Sequence, residues 1–237
     1  MSMHSDHDNA AHELRSFGRR KGRGLSPRQD ALLSELLPRI KVDFGRPLGD
    51  MLSDPEGLAP PLWLEIGFGG AEHLLWQAER NRQVRIIGCE PFEEGVVKAL
   101  AGIDSAGLDN IRLHDDDARP LLRWLPAASL DRCFILFPDP WPKKRHIKRR
   151  LVSAATLALV ARAMKPGAEL RIGTDIGDYA RTILLAMTDC PQFAWQARSA
   201  TDWRIRPDDW PQTRYEAKGL REGRRCTYLR FLRTTAP

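Results

Sequence analysis

From Leu62 onward, short apolar runs alternate with helix-length stretches, and this alternation restricts the fold more than any other feature of the chain. "LWLEIG", "VRIIGCE", "IRLHDD", "DRCFILF" and "AELRIGT" read as strands. "EHLLWQAER", "FEEGVVKALAGI" and "RRLVSAATLALVARAM", lying between them, read as helices. The alternation predicts an α/β fold: a mostly parallel sheet with right-handed crossovers and helices on both faces. "MKPGAEL" predicts the end of the long helix, with Gly167 turning the chain into the next strand. The last run, "CTYLRFLR", has no helix after it and is expected to close the sheet as an antiparallel strand. Upstream, "ALLSELLPRI" has a helical pattern that Pro38 limits. Residues 1–25 are polar and charged without apolar periodicity, and are expected to form a basic, disordered tail. Residues 26–237 are expected to form one domain.

Composition narrows the classes of function. At 42% hydrophobic and 29% charged, the chain has the balance of a soluble globular protein. It has no apolar run of bilayer length and no apolar leader, so a cytoplasmic location and no membrane partner are expected. The net charge of +6 favours a polyanionic partner, and its concentration in "RSFGRRKGRG" and "KKRHIKRR" points to nucleic acid. Cys89, Cys133, Cys190 and Cys226 lack metal-ligand spacing and read as small core residues, so no metal is expected.

Ligands of open α/β sheets bind beyond the carboxyl ends of the strands. Glu65, Glu90, Asp117 and Asp139 stand at four such ends, and Gly67, Gly69 and Gly70 occupy the turn after the first strand. Glu90 is placed to accept from ribose hydroxyls, and Asp117 to meet an adenine edge. A single strand-end carboxylate is more often a helix cap than a ligand contact, but four on successive strand ends favour a ligand. The dinucleotide fingerprint fails, because Glu72 stands where its third glycine or alanine belongs. A cationic ligand suits this acidic site better than a diphosphate, and the sulfonium of S-adenosylmethionine is one.

The most unusual stretch is "FPDPWPKKRHIKRR", residues 137–150. Pro138 and Pro140 restrict the backbone on both sides of Asp139. Three roles are open for that aspartate: cofactor contact, acceptor for a base edge, or structural corner. Trp141 either stacks on a base or wedges the turn. The cations that follow read either as a solvated helix start or as a phosphate-binding run. Cations at a helix N-terminus oppose the macrodipole, which favours the second reading.

"LEIGFGG", "GCEPF", "FPDPWPKKRHIKRR", "GTD" and "TRYEAKG" resemble, in that order, the bacterial tRNA (guanine-N7-)-methyltransferases, over roughly Arg15 to Arg233. These are class I, Rossmann-like S-adenosylmethionine-dependent enzymes that modify guanosine 46 in the variable loop of tRNA. The resemblance implies cofactor contacts from Glu65, Glu90, Asp117 and Asp139, beside Gly67 and Gly69 in the loop. It implies substrate-side roles for Lys143, Asp175, Thr213, Arg214, Tyr215 and Glu216, and RNA contacts from Arg145, His146, Lys148, Arg149 and Arg150. Ala71 stands where members often have a further glycine. Asp139 is the residue expected to be catalytic. Two other readings compete: a class I methyltransferase acting on another RNA nitrogen, and a non-catalytic RNA-binding protein on a nucleotide fold. Without the resemblance, "TRYE" reads as a polar loop before the last strand.

Overall fold

The five runs read as parallel strands are strands. A computed structural model describes residues 20, 22, 24–52 and 59–236. Most of the tail expected over residues 1–25 lies outside them. β1 (Leu62–Ile66), β2 (Arg85–Cys89), β3 (Ile111–His114), β4 (Leu130–Leu136) and β5 (Met164–Thr174) pair in parallel. β6 (Phe193–Trp195) and β7 (Thr227–Arg233) add antiparallel pairings, and the full order is β3-β2-β1-β4-β5-β7-β6. The expected antiparallel closure by "CTYLRFLR" is therefore present, with β7 lying between β5 and β6.

Helices fill the connections. α1 (Pro27–Ala31) runs through a π-helical turn, Leu32–Leu36, into α2 (Leu37–Ile40), which ends just after Pro38. There follow α3 (Leu48–Leu52), α4 (Glu72–Arg80), α5 (Glu93–Ala106), α6 (Ala118–Trp124), α7 (Ala154–Ala163), α8 (Gly177–Thr188), α9 (Thr201–Arg204) and α10 (Arg214–Arg221). Strand alternation divides the core into two faces. Leu64, Ile66, Cys133, Ile135, Leu170 and Ile172 pack with Leu121 of α6, Leu157 of α7 and Ile183 of α8. Trp63, Ile86 and Phe134 pack on the other face with Leu74 of α4 and Leu100 of α5. All four cysteines are free and buried, as their apolar neighbourhoods predict.

Three departures from the sequence reading have local causes. The long helix begins at Ala154 rather than within the basic run, because Ser153 caps it by accepting from the Thr156 N–H at 3.3 Å. β5 begins at Met164, and Gly167 takes a left-handed φ of 83° inside its first turn of chain. β6 is only three residues long, too short to show a period of two, and its edge pairing with β7 is what makes it a strand.

The chain before α10 is fastened to the sheet by charge and by one aromatic. On β5, Arg171 donates to both carboxylate oxygens of Asp209 at 2.9 and 2.7 Å and to Glu169 at 2.8 Å. Trp210 is fully buried beside them, edge-on to Tyr228 with centroids 5.4 Å apart. Breaking a buried ion pair from one side leaves the other charge uncompensated. Arg171→Met is therefore expected to lower the unfolding free energy by about 3 kcal/mol, the low end for such a loss because Arg230 and Arg132 still face Glu169. Urea unfolding of the two proteins checks it, an unchanged midpoint being the contrary outcome.

Candidate active site

Strand order reverses between β1 and β4, and a cavity of about 320 Å³ opens at the carboxyl ends of the strands there. Its floor is the turn after β1. The Gly67 N–H donates to the Cys89 carbonyl at 2.7 Å, and Gly67 and Gly69 hold φ of 75° and 53°, which suit residues without a Cβ. Ala71, at φ 66°, adopts the same left-handed region with a methyl group in place, at a local backbone cost.

Glu90 immediately follows β2 and faces this turn. Its Oε2 accepts from the Gly69 N–H at 2.8 Å and its Oε1 from the Phe92 N–H at 3.0 Å. Burial pushes its pKa upward, opposed by those two backbone donors and reinforced by Asp139 and Glu65 nearby. A carboxylate has about four acceptor positions, so two remain for a ligand in the cavity that Glu90 lines. α5 presses on the same turn: a Cβ on Gly95 would stand 2.5 Å from the Gly69 carbonyl oxygen. Gly95 escaped the sequence reading, although an isolated glycine inside a strong helical pattern was its signal.

Two of the other three expected cofactor carboxylates, Glu65 and Asp117, are differently placed. Strand alternation turns Glu65 toward α4, and it does not line the cavity. Its Oε2 lies 2.7 Å from His73 Nδ1, and the Gln77 amide nitrogen lies 3.1 Å from His73 Nε2. Amide donation to Nε2 leaves the Nδ1 proton for Glu65. Glu65 thus fixes α4 behind the glycine turn. Asp117 lines the cavity but also caps α6, accepting from the Arg119 N–H at 2.8 Å. Burial raises its pKa, yet the Arg119 guanidinium, bound to both its oxygens, outweighs that and holds the pKa below the ordinary value.

Asp139 is brought to the cavity by the corner after β4. Phe137 and Trp141, on either side, are left-handed at φ 51° and 41°. The Asp139 side chain reaches solvent at the cavity mouth, while the surrounding walls push its pKa upward. The basic run lies on a separate 3-10 helix, Lys144–Arg149, and α7 starts only at Ala154. The macrodipole argument for an RNA role therefore does not apply, and neither does the reading of the run as the start of α7. Lys143 and Arg145 are exposed, and Lys148 and Arg149 line the cavity. His146 is edge-on to Trp141 at 5.8 Å, and Arg149 lies over the same ring at 5.1 Å. Arg150 departs from the expected RNA contact: its side chain is 2% exposed and bonded inward.

"TRYE" is a helix start, not a loop. Thr213 caps α10 by accepting from the Glu216 N–H at 3.3 Å. Of the four residues, Tyr215 lines the cavity, its ring over Gly69, while Arg214 lies over Gly70 and pairs with Glu72. Glu216 is buried, accepting from the Tyr228 hydroxyl at 2.7 Å, and its Oε2 has no hydrogen-bond partner among the described residues. Asp175 sits under α10 and accepts from Arg224 at 2.7 Å.

Among solved structures, the 16S rRNA methyltransferase KamB superposes with a TM-score of 0.52 at 14% identity, over 78% of this chain and 90% of that one, a likeness of fold alone. The strand order is that of the class I methyltransferase fold, with the cavity at its switch point. Residues 59–229 match the family model described as "Putative methyltransferase". A tRNA (guanine-N(7)-)-methyltransferase of Hyphomonas neptunium is 51% identical over 207 residues, 87% of this chain and 94% of that protein. Another, from Rhodospirillum rubrum, is 48% identical over 226 residues, 93% of this chain and 88% of that protein. The chain belongs to the tRNA (guanine-N(7)-)-methyltransferase family.

The residues present fit S-adenosylmethionine: Glu90 retains acceptor positions, the glycine turn admits close backbone approach, and two carboxylates suit a cation. Glu90→Ala is expected to weaken its binding by about 1.5–3 kcal/mol, the worth of hydrogen bonds to a charged group. Calorimetric titration of the folded variant measures this, and an unchanged affinity removes Glu90 from the site.

Proposed function

We propose that this protein methylates N7 of guanosine 46 in the variable loop of tRNA, with S-adenosylmethionine as donor, in the cytoplasm. Asp139 carries the reading: a carboxylate on a proline-locked corner lines the cavity shared with Glu90, with Lys148 and Arg149 in the same wall. The family membership supports the substrate, and the two basic side chains give tRNA phosphates a place beside the pocket. Among the described residues no helix is long and apolar enough to cross a membrane, and no group of His, Cys, Asp and Glu could hold a metal ion.

When bound, S-adenosylmethionine supplies a methyl group on a positively charged sulfur. Guanine N7 has an in-plane lone pair and no proton to lose, so the new N–C bond forms as the C–S electron pair returns to sulfur. The positive charge passes to the purine. Glu90 and the Gly67–Gly69 turn would hold the donor, and Asp139 would orient the base by accepting from its N1–H and amino group. The same carboxylate stabilises charge arriving on the ring, which positions reactants and lowers the barrier together. Tyr215, over Gly69, forms the wall facing that exchange. No residue is required as a general base at N7.

Mass spectrometry of tRNA nucleosides after incubation with the donor tests the reading, with 7-methylguanosine at position 46 as the expected product. Asp139→Asn keeps the shape and removes the charge, so single-turnover methylation is expected to fall about a hundredfold or more with far smaller changes in affinity. A rate close to the parent's ends the catalytic assignment. Burial raises the Asp139 pKa, so protonation sets in at a higher pH than for a free aspartate. The parent's rate is therefore expected to fall as pH drops through that raised value, and the asparagine variant to lack this acid limb. Replacing Arg145 and Lys148 by alanine is expected to flatten the log–log salt dependence of tRNA affinity by about 0.7–0.9 per lost phosphate contact. An unaltered slope means these cations face only solvent.

A further inference from the structure

Arg150 closes the basic run but shares none of its exposure. Its Nε donates to the Pro140 carbonyl at 2.8 Å, Nη1 to Thr182 Oγ1 at 2.6 Å, and Nη2 to Asp178 at 2.5 Å. The guanidinium also lies 4.7 Å over the ring of Tyr179, which is fully buried on α8 and accepts from the Val152 N–H at 3.1 Å. One planar cation thus ties the residue after Asp139 to a core helix.

Besides the ring contacts of Trp141 with His146 and Arg149, the corner's backbone is held from both sides. Proline has no N–H, so neither Pro138 nor Pro140 can be held through a backbone donor. Phe137 and Trp141 are left-handed, a conformation that residues with a Cβ keep only where the surroundings impose it. On one side of Asp139, the Phe137 N–H donates to the Gly173 carbonyl at 2.7 Å. On the other side, the Pro140 carbonyl is taken by Arg150. Between them these two bonds pin both ends of the turn that presents the carboxylate.

We infer that Arg150 is a positioning residue for methyl transfer: it locks the Pro140 carbonyl to α8 and so fixes Asp139 in the cavity, rather than contacting RNA. This rests on the role proposed above for Asp139. Arg150 also explains how a run of cations serves two purposes. Lys143 to Arg145 face solvent and Lys148 and Arg149 line the cavity, while Arg150, which also borders the cavity, turns its guanidinium inward at the end of the same 3-10 helix. A lysine could not reproduce the fixed fork that meets a carbonyl and two α8 oxygens at once.

Arg150→Lys, with active sites counted by cofactor titration, is assayed for single-turnover methylation at saturating tRNA and donor, and for tRNA affinity across salt. The expected result is a rate lower by about tenfold or more, as for a slight misplacement of a reacting group, with the parent's salt slope and tRNA affinity. A rate per active site equal to the parent's overturns the proposal, because a merely structural arginine would change only the folded fraction. A salt slope flatter by about 0.7–0.9 also overturns it, by making Arg150 a phosphate contact. If Arg150→Lys does not remain folded, Asp178→Ala with Thr182→Val releases two arms of the fork at partly exposed positions. A rate about threefold lower or more at unchanged slope then supports the clamp, and a parental rate overturns it. Absence of 7-methylguanosine with the parent chain would instead refute the proposed function itself.

Discussion

The reversal of strand order between β1 and β4 is the constraint from which the site follows. Neighbouring connections leave in opposite directions there, so the strand ends are not roofed by a crossover and a crevice remains. Into it come a glycine turn from β1, Glu90 from β2 and Asp139 from the corner after β4. Glu90, Asp117 and Asp139 line one partly buried cavity; burial raises the pKa of Glu90 and Asp139, and the Asp139 charge raises that of Glu90 further. A cavity of that character favours a cation, and methyl transfer carries one positive charge from donor to base.

The arginines divide by burial more than by position in the chain. Arg171 and Arg150 are each 2% exposed at the side chain and bond inward, the first to fasten the chain before α10 and the second to fasten the corner. Arg119 neutralises Asp117, and Arg224 holds Asp175. Each of these arginines is paired with a carboxylate, so they cancel within the net charge of +6, and the surplus is carried by other side chains. What remains outward at the cavity is concentrated on the 3-10 helix, close to where the base must enter.

Local signals were legible where local chemistry governs. The apolar runs became β1 to β5, "CTYLRFLR" became the antiparallel β7, and Glu90 stands at its strand end facing the glycine turn. Signals failed where a distant partner decides. The sequence does not show that His73 folds against Glu65, and "TRYE" looked like a loop until Thr213 capped α10. The basic run looked like the start of the long helix, but Ser153 is the true cap.

By itself, then, the sequence determined the α/β alternation, the glycine turn, the acidic strand ends and the proline-locked corner. Each of these is a property of backbone freedom or apolar spacing over a few residues. Only the tertiary structure decided which carboxylates face the cavity and which cations face outward. Glu65 and Glu90 are both glutamates at strand ends, and Arg149 and Arg150 are adjacent in the chain. Their fates differ because the cost of burying a charge depends on partners far away in sequence: His73 for Glu65, and Pro140, Asp178 and Thr182 for Arg150.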